Sequence, residues 1–201
     1  MKLIAKIVSI LFHPLLMPTL GLMMIFNLAA PISYLPLEIK RIVLIIVAAT
    51  TCIIPITLIP LFQLTGMIES IYMHQRRERF WPILTSAFSF FVGYWILNRV
   101  PVVPQFINSF IFFTILSVVI SLSITLFWKI SIHMVGMGGI TALITIMAWR
   151  FNPQLTVLVS GIFVISGIVG WARLKTESHK PAEIYTGYVV GFFTVSLSAL
   201  F

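Results

Sequence analysis

The strongest constraint on this chain is that charge is almost missing from long stretches of it. Apolar runs of 16 to 24 residues follow one another, at about 7–30, 41–64, 82–98, 105–128, 134–149, 154–172 and 184–201. A helix needs about 20 such residues to cross the hydrocarbon core of a bilayer. In 201 residues only 9% are charged and mean hydropathy is +1.10, too little charge to cover a soluble surface. Disorder is excluded by the same numbers, and a disulfide scaffold by the single Cys52. The net charge of +8 does not mark a nucleic-acid module, because the cations are spread thinly between apolar runs. Period-2 alternation of the barrel type is absent. The expectation is an all-α polytopic transmembrane bundle, one membrane domain over 1–201. The run at 82–98 is short enough to be re-entrant, so six to seven crossings are expected. His13-Pro14 and Pro18 suggest a kink in the first.

Three polar clusters stand out, and alternation of seven crossings puts all of them on one face. The first is His74-Gln75-Arg76-Arg77-Glu78-Arg79, running into Pro82. Guanidinium forks match phosphate oxygens, but such a run is also an ordinary cytoplasmic anchor. The second is Lys129-Ile130-Ser131-Ile132-His133, before a Gly-rich helix start at Gly136, Gly138 and Gly139. Helix N-termini bind anions, although small residues also serve helix packing. The third runs from Arg173 to Glu183, with Pro181 and Glu183 suited to a helix start. His179 stands four residues before Glu183, an offset at which a carboxylate can hold an imidazole in one tautomer. Together they supply a nucleophile, an orienting carboxylate, an acid and a charge clamp, the parts of phosphoryl transfer through a phosphohistidine. A metal at His133 and His179 is disfavoured by the surrounding cations and the shortage of further ligands.

These residues resemble the type-2 phosphatidic acid phosphatase superfamily. Arg173-x5-His179-x3-Glu183 is similar to its third motif, S-R-x5-H-x3-D, with Ala172 at the Ser position and Glu183 at the Asp position. Ser131-Ile132-His133 resembles the end of its second motif, P-S-G-H, with Ile132 where the Gly stands. The Arg-rich stretch ending in Pro82 resembles the first, K-x6-R-P, with His74 and Trp81 at the literal Lys and Arg positions. The resemblance covers about 74–191 and implies an acid-phosphatase/haloperoxidase-like helical core. It also implies a lipid-phosphate phosphatase without metal or cofactor. His179 would be the nucleophile, Glu183 its orienting group and His133 the acid. Arg173, Ser131, Arg76, Arg79 and Lys129 would hold the phosphoryl oxygens.

The expected partners are a lipid phosphate and the membrane itself, with no nucleic acid. A degenerate relative that binds without turnover, and a small transporter, are the competing classes; a transporter usually shows internal repeats and midplane polar sites, which this sequence lacks. The cluster-bearing face carries nine Lys and Arg against four on the other, which by itself predicts a cytoplasmic site. Seven of the nine belong to the clusters, and without them the bias reverses. Similar bacterial enzymes face the periplasm, so the resemblance implies a bacterial inner-membrane protein with its site on that side.

Overall fold

The computed structural model describes residues 1–28, 31–70, 73 and 77–201. Among these residues no strand occurs, and seven helical segments are long and apolar enough to cross a membrane. The protein is an all-helical membrane bundle. Its spans are Lys2–Asn27, Leu37–Leu64, Arg77–Leu97, Gln105–Phe127, Ile132–Arg150, Pro153–Lys175 and Pro181–Leu200. The third is 21 residues long, so the re-entrant alternative falls. Its extra length comes from a 3-10 turn over Arg77–Arg79 that leads into the helix before Pro82.

The first span is two helices. Helix α1 (Lys2–Leu11) stops at Phe12, and His13 takes an extended conformation before a 3-10 turn at Pro14–Leu16 and helix α2 (Met17–Asn27). The residue before a proline is pushed out of the α region, which is why the break falls at His13-Pro14. It shifts the chain sideways. Helix α1 lies on the sixth span, while α2 lies on the fifth. The second span is likewise α3 (Leu37–Ala48) and α4 (Ile54–Leu64), joined by a π-helical turn over Ala49–Ile53. There Ser89 donates to the carbonyl of Thr50, and the Thr51 hydroxyl donates to the carbonyl of Leu15.

The remaining spans are α5 (Phe80–Leu97), α6 (Gln105–Phe127), α7 (Ile132–Arg150), α8 (Thr156–Lys175) and α9 (Pro181–Ser196). Helix α7 is the axis of the bundle, with 72% of its spanning window buried. It contributes to both apolar clusters, one with α2, α3 and α6, the other with α2, α8 and α9. Helices α7 and α9 run side by side in the same direction. Gly187 faces the carbonyl of Ser131, Gly191 that of Val135, and Gly138 that of Tyr188. These are backbone-to-backbone contacts, with no room for a Cβ. Small residues of this kind let membrane helices approach closely, so that dispersion holds them without a hydrophobic driving force. Parallel running brings the N-termini of α7 and α9 to the same end. The C-terminus of α8 must end there too, since only a short loop joins α8 to α9.

Candidate active site

Residues of all three polar clusters meet where α7 and α9 begin and α8 ends. The centre is His179, whose side chain is 2% exposed, with its Nδ1 2.7 Å from Oε2 of the 7%-exposed Glu183. The pair is not an intrahelical i, i+4 contact. Helix α9 starts at Pro181, with Lys180 extended as its N-cap, so His179 lies before the helix and Glu183 at the third helical position. The carboxylate reaches back past the cap, as a third-position Glu does in a capping box. A carboxylate there also faces the positive end of the helix dipole.

Ser131 joins this pair through the backbone. Its N–H donates to the carbonyl of Glu183 at 3.2 Å, fastening the start of α7 to the first turn of α9. Ser131 is the N-cap of α7, yet its hydroxyl makes no cap and is fully buried with no partner among the described residues. The Nε of Arg173 is in the same condition. Buried donors normally find a partner; here two from adjacent elements lack one beside the same histidine. Each could donate to an anionic oxygen brought to it.

The charges agree. Arg79, Arg173 and Lys129 all act electrostatically on His179. Burial first, and then these three cations, lower the His179 pKa from 6.5 to about 2, so the imidazole is neutral. Neutral, with Nδ1–H donated to Glu183, it keeps a lone pair on Nε2. Burial also lowers the Lys129 pKa, helped by Arg79 and Arg173 and opposed by Glu183. Among the described residues Arg79, Lys129 and Arg173 face Glu183, with Glu78 also acting on Arg79, and a positive excess remains that an anion would relieve.

His133 lies within electrostatic reach of Arg173 and His179. Its Nε2–H donates to the carbonyl of Ser9 at 3.1 Å, so only Nδ1 is free for proton transfer. Sequence reasoning treated His13 as a kink residue, but it packs here too, ring edge against His133 with centroids 5.6 Å apart. The available signal was the helix break at His13-Pro14, which turns a mid-run residue toward a neighbour. Arg79 is half-buried and donates Nε–H to the carbonyl of Met73. Arg76 and His74, also expected in the first cluster, lie outside the described residues. Arg77 is exposed and Glu78 buried, the latter accepting from the N–H of Glu69 at 2.8 Å.

As to a metal, His, Cys, Asp and Glu side chains do not gather in threes among the described residues. The donor set suits an anion better. Comparison with protein-family models, with curated proteins and with solved structures yields no match.

Proposed function

We propose that this protein is a membrane phosphatase that hydrolyses a lipid phosphate through a phosphohistidine on His179. The observation that supports it best is the buried His179–Glu183 pair at 2.7 Å, set among Arg79, Lys129 and Arg173. Glu183 accepts from Nδ1 and aims the Nε2 lone pair at phosphorus. As Nε2 bonds to phosphorus, the bond from phosphorus to the lipid oxygen breaks. The three cations, the Arg173 Nε–H and the Ser131 hydroxyl take the charge on the phosphoryl oxygens. The substrate phosphate enters as its monoanion, and its own P–OH proton passes through Nδ1 of His133 to the departing oxygen, while the His133 Nε2–H stays on the carbonyl of Ser9. Water then attacks the phosphohistidine, its proton passes by way of His133 Nδ1 to the phosphate oxygen, and inorganic phosphate leaves with both histidines neutral again.

The test is phosphate release by purified protein in detergent from long-chain phosphatidic acid and from an isoprenyl diphosphate. Release from at least one, with an acid-labile phosphoenzyme that disappears in His179→Ala, is the expected result. No release from either substrate, or equal release by His179→Ala, overturns the reading.

A further inference from the structure

We infer that an apolar groove between α2, α7 and α8 holds the chain of the lipid whose phosphate occupies the His179 site. The inference rests on the phosphatase reading for the headgroup, and it adds where in this bundle the rest of the molecule is seated.

The groove encloses about 410 Å³, within the range of small-molecule sites. Its lining includes Phe12, Met17, Met24, Met137, Ile140 and Ile162. It follows from the break at His13-Pro14. Because α1 packs on α8 while α2 packs on α7, a furrow is left below Phe12 that opens along α2. Met17–Asn27 at 1.5 Å per residue runs about 15 Å, half the hydrocarbon thickness of about 30 Å.

Three lines tie the groove to the polar site. On α7, Met137 and Ile140 lie four and seven residues after His133, the spacing of one helix face. On α8, Val169, Ser166 and Ile162 lie four, seven and eleven residues before Arg173, again one face. Phe12, at the upper end, precedes His13, whose ring meets His133. The two faces that carry the phosphate-side groups thus continue into the groove's walls. The two partnerless donors, Arg173 Nε and Ser131 Oγ, lie toward the ends of these same two helices, outside the groove's own lining. A cationic site with unfilled donors at one end of α7 and α8, and an apolar furrow further along the same helices, together match the two parts of one amphiphile. The wall chemistry agrees, because unbranched thioethers such as Met17, Met24 and Met137 adjust to a flexible chain.

The experiment uses full-length protein in detergent micelles and a phosphatidic acid with a diazirine at the end of its acyl chain. After irradiation, labelled residues are mapped by mass spectrometry. A second probe carries the same chain on an alcohol headgroup. Labelling is expected at Met24, Leu28 and Ile162, about tenfold stronger for the phosphate probe and suppressed by inorganic phosphate. Met24→Trp and Leu20→Trp should each reduce it. Equal labelling by the alcohol probe would mean ordinary bilayer lipid and would overturn the inference, as would labelling spread over the lipid-facing surface or confined to a contact between two copies. Phosphate release measured in parallel separates the two readings. Phosphate-dependent groove labelling without release keeps the groove and discards hydrolysis; release without groove labelling does the reverse.

Discussion

In the proposed reaction His179 has to be neutral to attack phosphorus, yet it sits among cations that would hold an incoming anion. The same arrangement meets both needs: burial and the charges of Arg79, Arg173 and Lys129 keep the proton off Nε2, while Glu183 holds the other nitrogen. Glu183→Gln keeps an acceptor for Nδ1–H but removes the charge that offsets the imidazolium-like character developing in the transition state. Turnover should fall by about 10²-fold or more, with phosphate still bound; single-turnover phosphoenzyme formation alongside equilibrium binding of vanadate checks both. The lowered pKa also has a consequence for stability. Between about 2 and 6.5 the unfolded chain binds a proton at His179 that the folded protein does not. Stability from this group is therefore complete above pH 6.5 and declines as pH falls below it. Thermal unfolding in detergent from pH 7.5 to 4.5 should show a steeper loss for wild type than for His179→Gln. Parallel curves would contradict the assignment.

At the scale of the elements, the site depends on how closely α7 and α9 approach. Gly191, Gly187 and Gly138 each meet backbone of the other helix, and the Ser131–Glu183 bond crosses the same seam. A side chain at Gly191 would strike the carbonyl of Val135, which has no rotamer by which to move aside. Gly191→Val should destabilise the bundle by roughly 1–3 kcal/mol or more, the usual cost of overpacking, and should impair the site through the displaced first turn of α9. Gly161 on α8 is the contrast, since a Cβ there meets nothing within 4 Å. Gly161→Ala should leave melting temperature and activity unchanged or raise the former slightly. Comparable melting temperatures for the two variants would show that the seam is not close-packed in the membrane.

For the whole molecule, seven spans place the N-terminus and the 173–183 connection at one end, and the 150–153 turn and C-terminus at the other. Two contacts agree with this: Lys2 pairs with Glu177 at 3.3 Å, and Arg150 donates to the carbonyl of Ala199 at 3.0 Å. In a Cys52→Ala background, Ser178→Cys and Val102→Cys should therefore react with a membrane-impermeant thiol reagent from opposite sides. With the site facing outward, as expected, Ser178→Cys is labelled in intact cells and Val102→Cys only after permeabilisation. Labelling of both from one side would refute the seven-span topology, and the converse pattern would reverse the orientation.

The spans were legible because bilayer insertion reads hydropathy along the chain, a local and additive property, and each apolar run from Lys2 to Leu200 became a helical span, broken in the first two, within a few residues of its expected ends. The pairing of His179 with Glu183 was legible as well, because four residues of separation allow few geometries. Even so, the contact spans a helix start rather than lying on a helix face. The rest required tertiary structure. Nothing near Ser131 in sequence shows that its N–H bonds to Glu183, 52 positions on. His13 reads as a kink residue until the displaced α1 brings the carbonyl of Ser9 to His133. The π-helical turn at Ala49–Ile53 has a local cause in Pro55, which lacks the N–H that would continue the ladder, but its hydrogen-bond partners Ser89 and Leu15 lie on other spans. Hydropathy fixes which segments enter the membrane. Which faces then meet depends on backbone contacts at glycines and on single hydrogen bonds between distant positions, and no local pattern encodes those.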